Sequence, residues 1–542
     1  MKTRINKTDA LFLFFALLSH TVYFIINLMV GGNHIDEAML SLNAFSLADK
    51  GTDISMVKLP LYFDTWLHGG QSPFGTYLSA AFVKLFGHNL FAIRFPAYIF
   101  SILGVAACFM LINELKLKSK YRFAMLALLC VSPWIVFSGV YVLDCNYFAH
   151  ILIIALFFLT RALNTNKTVY YIISMFFCAL CFYCYIAGII VLPITITVFF
   201  LTGIIKKKIS IKNTVISFFT VLLFSLPFVL FGLINLGVLD EIKFFGLSIT
   251  KMQHYTRYDS MVFASGSIVD IIINAAKNLV ITFVDMSVID YTAIGIGPNI
   301  FMYGNLLGGI LMIFGIVNHI FALIKKVSDF SFNQKLFAVS AFSGIISFFM
   351  VVNNENYIDL FYRYGVLSYF LIYFESVGII NVFSLIKKAN YKKMIIAYAI
   401  LSFMLFNAEF FGLYVNQTKA APDVTYGDSL YACLDDCKDE KVIIYMDDSE
   451  YHTRVSVYLR YYYYGSNIDF VNIRDEILKR DILGDKQTVQ CTNDDSILIK
   501  TSSDNTVINE EKMIVSDMDI KNIDNEKYEI KDYGFWNLCE LK

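Results

Sequence analysis

Charge is what this chain has least of for its length. Asp, Glu, Lys and Arg make up 16% of its 542 residues, against about a quarter in soluble domains. The two signs nearly cancel, leaving a formal net charge of -1, and no basic stripe points to a nucleic-acid partner. Histidines are few, 8 in all. The chain has no G-x-x-x-x-G-K-[ST] loop and no dinucleotide fingerprint, which argues against ATP-driven work on this chain. It has no internal repeat at a fixed offset. Hydrophobic residues, by contrast, reach 57% with a mean hydropathy of +0.59. They are spread over the first 415 residues, far more than one water-soluble core requires.

A helix crossing about 30 Å of hydrocarbon needs roughly 20 apolar residues. Such stretches occur near 10–30, 93–113, 122–140, 146–163, 169–186, 187–205, 213–233, 300–324, 335–352, 364–386 and 393–414. They predict about eleven transmembrane helices. The first has a basic start (Lys2, Arg4, Lys7) but no small-x-small cleavage site, so it reads as a retained helix. Lys and Arg gather in alternate connections: Lys116, Lys118, Lys120 and Arg122; Arg161 and Lys167; Lys206 to Lys208; Lys325 and Lys326; Lys387, Lys388, Lys392 and Lys393. The positive-inside rule then puts the N-terminus in the cytoplasm, and an odd span count puts the C-terminus outside. The expected location is a multi-pass cytoplasmic membrane.

Three segments are left on the outer side: the loops 31–92 and 234–299, and the polar region from 416 to 542. Together with the spans, loops 31–92 and 234–299 form one predicted transmembrane domain, residues 1–415. The last region combines strand-like runs (Val442 to Tyr445, Ser496 to Lys500) with a helical pattern from Arg454 to Tyr464, and reads as a small extracytoplasmic α/β domain. Its four cysteines, Cys433, Cys437, Cys491 and Cys539, are compatible with one or two disulfides, whose pairing the sequence leaves open. Cys178, Cys181 and Cys184 sit inside an apolar helix and read as small core residues rather than a metal site.

The first outer loop opens with Asp36 and Glu37 directly after a span. N-terminal capping of a following helix is the plain account of two such carboxylates. The loop continues with Pro60, Tyr62, Asp64 and Trp66, then Gly69-Gly70-Gln71-Ser72-Pro73, and closes with Ile93-Arg94-Phe95-Pro96. It is too polar to cross and too aromatic to float free, and half-buried helices on the outer surface fit it best. Asp447-Asp448 follows a strand, but a solvated helix start accounts for it.

The Asp-Glu after the first helix, the Pro-aromatic stretch and Phe82 to Pro96 resemble the GT-C glycosyltransferases, and more narrowly their protein O-mannosyltransferase and aminoarabinose-transferase-like group. Ser132-Pro133-Trp134, Leu143-Asp144-Cys145-Asn146, Tyr183, Tyr185 and Asn353 to Tyr364 continue the likeness, which covers most of residues 10–385. The resemblance implies an integral membrane enzyme that takes a sugar from a polyprenyl-phosphate carrier on the outer face, with Asp36 acting at the acceptor. Residues 138–141 lack the Arg that many relatives carry before the Asp-x-Asn, which leaves the substrate open.

The chemistry is consistent with this. A phosphate leaves as a stable anion and calls for cations rather than a general acid. An acceptor hydroxyl calls for one carboxylate base. Asp36 is the base candidate, in a single displacement that inverts the anomeric centre, and Glu37 its orienting partner. Arg94, Lys58, Arg257 and Arg363 are the outer cations expected at the donor phosphate. Snorkelling at Arg94 and an Arg363–Asp359 helix pair are the plain alternatives. His34, Asp64, Asp144 and Asn146 are candidates for acceptor or sugar contacts. No cofactor is required. A divalent metal on His34 and His68 with Asp36 or Asp64 matches no recognised ligand spacing. The expected partners are the lipid-linked donor, membrane lipids and a protein, lipid or cell-wall polymer acceptor. The rival readings are a transporter or flippase, a polysaccharide polymerase or ligase, and a non-catalytic scaffold. A transporter places ionisable groups mid-membrane, where this chain is nearly uncharged.

Overall fold

The computed structural model describes residues 7–30, 34–65, 70–244, 247–252, 267–285, 307–324, 330–351, 365–386, 390–409, 422–437, 441–446, 449–471, 489–494, 496–500, 511–517 and 519–542. Its helices are α1 (Lys7–Val30), α2 (Ile35–Lys50), α3 (Pro73–Phe86), α4 (Leu90–Glu114), α5 (Ser119–Val131), α6 (Pro133–Phe137), α7 (Asp144–Thr165), α8 (Thr168–Phe182), α9 (Gly188–Ile205), α10 (Ile211–Asn235), α11 (Ile268–Asp285), α12 (Gly308–Ile324), α13 (Phe332–Val351), α14 (Ser368–Ser384), α15 (Tyr391–Glu409), α16 (Pro422–Cys437) and α17 (Ser449–Tyr462). The strands are β1 (Phe63–Asp64), β2 (Gly70–Gln71), β3 (Ile242–Phe244), β4 (Leu247–Ile249), β5 (Val442–Tyr445), β6 (Val489–Gln490), β7 (Ile497–Lys500), β8 (Lys512–Ser516), β9 (Tyr528–Asp532) and β10 (Trp536–Leu541).

Among the described residues, each of the eleven apolar stretches contains helix. Among the described residues, six helices are long and apolar enough to cross a membrane: α1, α4, α7, α9, α10 and the α14 region. The stretch 122–140 is two helices rather than one. Pro133 has no N–H to continue the ladder, and it holds Ser132 out of the helical region at ψ 114. α11 is an addition, an amphipathic helix packed against α12 and α13 within the second long loop.

Helix contacts follow the small residues. A Cβ on Gly315 of α12 would lie 1.9 Å from the Phe374 carbonyl oxygen, and one on Gly378 of α14 would lie 1.8 Å from that of Leu311. The two backbones therefore touch, as small-residue interfaces allow where lipid removes the hydrophobic drive. α14 is the innermost helix, while α10 turns Phe218, Phe219 and Leu223 outward. Glu375, buried in α14, accepts a 2.9 Å hydrogen bond from the Tyr398 hydroxyl of α15.

Polar contacts gather the basic connections around Arg122 and Arg161, with the start of α13, at one end of the bundle. Arg122 pairs with Asp9 and donates to Asn113. Arg161 bonds Glu114 at 2.8 Å, and Asn333 bonds Asn164 at 2.7 Å and the Glu114 carbonyl at 3.1 Å. α2, α3 and the C-terminal region lie at the other end.

In the C-terminal region the strands form one mixed sheet in the order β6-β7-β5-β8-β10-β9, with β5 parallel to β7 and β8 and the remaining pairs antiparallel. Its core is not its own alone. Ile35, Ala38, Met39 and Leu42 of α2 share a hydrophobic cluster with Leu430, Val455, Tyr458 and Trp536. Cys433, Cys437, Cys491 and Cys539 are all buried and none is disulfide-bonded, so the disulfides the sequence was compatible with are not formed here. Burial pushes the Cys539 thiol up to about 11.

Gly378→Ala must push α12 and α14 apart. Overpacking of this kind costs about 1–3 kcal/mol, so the detergent-solubilised variant should melt several degrees below the wild type in a thermal-shift assay. An unchanged melting temperature would mean the two backbones are not in contact.

Candidate active site

The start of α2 carries the two carboxylates. His34 caps it, its Nδ1 accepting the Asp36 N–H at 3.2 Å, and Gly51 ends it in the left-handed region (φ 71) with its N–H on the Leu47 carbonyl. At 3.6 residues per turn, each residue is turned about 100° from the last. Ile35, Ala38, Met39 and Leu42 therefore share one face, which meets the C-terminal sheet region. Leu40, Ala44 and Leu47 share another, which meets the bundle. Glu37 falls on the bundle face one turn before Leu40. Asp36 falls in the seam between the two faces, half-buried.

Glu37 and Arg94 are both 0% exposed and form a two-pronged pair. Arg94 donates from Nε to Glu37 Oε1 at 2.9 Å, from Nη2 to Oε2 at 2.6 Å and from Nη1 to the Asn27 carbonyl at 3.1 Å. The Val142 N–H adds a bond to Glu37 Oε1 at 3.2 Å, and the guanidinium lies 5.3 Å from the centre of the Tyr141 ring. The Asn27 amide in turn donates to the Val140 carbonyl at 2.6 Å. Four pieces of chain are tied at one point: the ends of α1, α2 and α4, and the connection 138–143. This placement changes two expectations. Arg94 has no surface to offer a donor phosphate, because its guanidinium is sealed against Glu37 and Asn27. Glu37 is likewise sealed away from an acceptor.

The segment Gly70 to Pro73 lies between Asp36 and Asp144. The Gln71 side chain donates to the Asp36 carbonyl at 3.3 Å, and the Ser72 N–H donates to Asp144 Oδ2 at 3.3 Å. β1 and β2 pair Phe63 with Gln71 and Asp64 with Gly70, which brings the backbone of Asp64 to the same place. Gly70 must be glycine there, since its Cβ would sit 1.6 Å from the Tyr62 ring. Pro73 at the first turn of α3 is pre-shaped for a helix start, and the Phe74 N–H reaches the Tyr183 carbonyl at the break between α8 and α9.

The remaining candidates are placed as follows. Asp144 begins α7. Asn146 is buried and donates to the Tyr141 carbonyl at 3.0 Å. His34 is buried at its capping position. Lys58 is exposed in the loop that follows α2. Arg257, Arg363, Asp359, His68 and the Asp447-Asp448 pair lie outside the described residues. Among the described residues, no group of three or more His, Cys, Asp or Glu is placed to hold a metal ion. Asn27 and Gln71 were not singled out from the sequence. A lone amide in an apolar span was the available signal for Asn27.

Residues 70–231, from β2 to α10, match the family model described as dolichyl-phosphate-mannose-protein mannosyltransferase. The segment includes Arg94, Asp144 and Asn146 but not Asp36 or Glu37. ArnT from Cupriavidus metallidurans, solved in the apo state and bound to undecaprenyl phosphate, superposes with TM-scores of 0.51 and 0.53 at 12% and 11% identity, covering 97% of both chains each time. The chain has the GT-C fold. An Archaeoglobus fulgidus oligosaccharyltransferase agrees over 82% of this chain and 61% of its own, with a TM-score of 0.50 at 14% identity. No curated protein matches the chain in sequence. The segment match and the shared fold make this chain similar to the GT-C glycosyltransferases, in the middle of the chain by sequence and over nearly its whole length by fold. The structural likeness reaches past residue 385 into the C-terminal region, for which the sequence carried no resemblance.

In this GT-C chain, Arg94→Met leaves the Glu37 carboxylate buried and unpaired. Such a loss costs about 3–5 kcal/mol. The single variant should therefore melt well below the double variant Glu37→Leu/Arg94→Met. Equal melting of the two would show that the buried pair does not hold the four segments together.

Proposed function

We propose that this protein transfers a sugar from a polyprenyl-phosphate carrier to an acceptor hydroxyl at the outer face of the membrane, with inversion and with Asp36 as general base. The observation that carries the reading is the division of labour at the start of α2. Glu37 is neutralised by Arg94 inside the protein, while Asp36 stays half-buried in the seam, beside the Gln71–Ser72 segment and Asp144. The GT-C fold and the match of residues 70–231 to a mannosyltransferase family model support the same class of reaction, and the likeness to the ArnT structure holding undecaprenyl phosphate supports the class of donor.

In this scheme the Asp36 carboxylate takes the proton of the acceptor hydroxyl. The oxygen attacks the anomeric carbon, and the bond from that carbon to the phosphate oxygen breaks. The polyprenyl phosphate departs as an anion, so no general acid and no cofactor is needed. Lys58, Arg257 and Arg363 are the cations assigned to the phosphate, Arg94 being committed to Glu37. Asp144, through its link to Ser72, and the neighbouring Asp64 are assigned to the sugar or acceptor. His34 and Asn146 act by holding the ends of α2 and α7 in place. The orientation read from the basic connections puts the site outside, where lipid-linked rather than nucleotide-linked sugars are met.

The test is a purified-protein assay over a panel of polyprenyl-phosphate sugars, wild type beside Asp36→Asn. The variant should lose about 10²–10⁴-fold in turnover and keep the wild-type melting temperature. Undiminished turnover would remove Asp36 from the mechanism. No turnover of any monophosphate-linked donor, or turnover of diphosphate-linked oligosaccharides instead, would overturn the reading in favour of transport or polymer ligation.

A further inference from the structure

The contact between α2 and the C-terminal region is closed at one end and open at the other. From Ile35 to Leu42 the helix is sealed against the sheet region. Beyond Leu42 the remaining contacts border a cleft of about 960 Å³, lined by Ser46, Asp49 and Lys50 of α2 on one side and by Arg460, Tyr463, Asp469, Phe470 and Asn493 of the C-terminal region on the other. Its volume is at the upper end of the roughly 300–1,000 Å³ of small-ligand sites.

Four consecutive tyrosines, Tyr461 to Tyr464, run from the last turn of α17 into the turn that follows, and they divide the work of this junction. Tyr461 stacks on Phe45 of α2 at 5.9 Å, and burial pushes its hydroxyl up to about 12. Tyr462 stacks on Tyr431 of α16 at 5.4 Å. Tyr464 packs on Phe45 at 5.1 Å and donates to Asp49 Oδ2 at 2.9 Å, while His88 holds the other Asp49 oxygen at 3.1 Å. Tyr461 and Tyr464 fasten the region to α2, and Tyr462 packs within it. Tyr463 is half-buried and lines the cleft together with Phe470, their ring centres 6.4 Å apart.

The polar groups of the cleft are ordered before any ligand arrives. Arg460 lies over Phe470 at 5.0 Å and donates to the Val471 carbonyl at 2.6 Å. The Asn493 amide holds Asp469 Oδ2 at 2.9 Å. Two carboxylates, Asp49 and Asp469, face two cations, Lys50 and Arg460, so the lining selects neither an anion nor a cation. Polar and apolar surfaces are mixed, which does not suit an acyl chain. Aromatic faces with planar amide and carboxylate groups around them suit a neutral, hydroxyl-rich ligand, whose apolar ring faces stack while its hydroxyls bond.

We infer that this cleft binds a neutral oligosaccharide segment. Resting on the function proposed above, that segment is part of the acceptor. At 1.5 Å rise per residue, Ser46 and Asp49 lie roughly 15–20 Å along α2 from Asp36, so the acceptor that fills both places is an extended glycan several sugar units long rather than a single small molecule.

The experiment uses the full chain in detergent and an array of neutral di- to hexasaccharides (glucan, mannan and N-acetylglucosamine oligomers), with acidic glycans and a basic peptide as controls. Wild type should retain at least one neutral oligosaccharide, more tightly as length grows. Tyr463→Ala and Asn493→Ala should each weaken it by about tenfold, near 1.4 kcal/mol, without lowering the melting temperature. Tyr463→Phe should bind like wild type, because the ring and not the hydroxyl provides the platform. Asp36→Asn should also bind like wild type, which separates this site from the proposed catalytic one: undiminished turnover in Asp36→Asn beside normal glycan binding overturns the proposed base alone, and lost turnover in Asp36→Asn beside no glycan binding by wild type overturns the cleft alone. The inference falls if no neutral oligosaccharide binds, if the charged controls bind in preference, or if both cleft variants bind as well as wild type.

Discussion

The arrangement at the working end of this protein depends on one buried ion pair. Taking Glu37 and Arg94 out of water is costly, and two parallel hydrogen bonds plus the Asn27 and Val142 backbone groups are what offset the cost. The geometry they demand leaves little freedom to the ends of α1, α2 and α4 and to the connection 138–143. It also settles how two adjacent carboxylates differ. With Glu37 drawn into the bundle, the turn of the helix carries Asp36 to the seam, where its carboxylate is half-buried rather than sealed.

α2 is the mechanical centre of the molecule for a related reason. Two sets of apolar residues at helical spacing put one face on the bundle and the other in the core of the C-terminal sheet region. The helix therefore belongs to both parts, and a motion of the C-terminal region is a motion against the helix that carries Asp36. The small-residue contact of Gly315 with Gly378 and the polar ties at the basic end, such as Arg161 with Glu114, secure the rest of the bundle without crowding that end. Dividing the chain near residue 415 separates the elements by composition but misses the shared core, since Ile35 and Leu42 look like any amphipathic residues until Trp536 and Tyr458 cover them.

Much of the plan was legible in the residues. Long apolar runs cannot be anything but buried in lipid or protein, so the helices were readable from length and hydropathy alone. Pro133 cut one of them in two, a local effect that the hydropathy of the stretch concealed. Asp36 stood out because a carboxylate pair at a membrane boundary needs a reason. The roles within that pair did not. Arg94 and Glu37 are 57 residues apart, and no periodicity announces that each is the other's partner. Read separately, an outer arginine looks like a phosphate ligand and a second carboxylate looks like a helper to the first.

Composition and hydrophobic period, then, determined a helical membrane protein with long polar elements held apart from its basic loops, because the cost of exposing apolar surface or burying charge is written residue by residue. Tertiary structure alone decided which charges face each other, which face of α2 the C-terminal region covers, and where that cover opens into a cleft lined by Tyr463 and Asn493. Those outcomes turn on contacts between residues tens to hundreds of positions apart, and only packing brings such residues together.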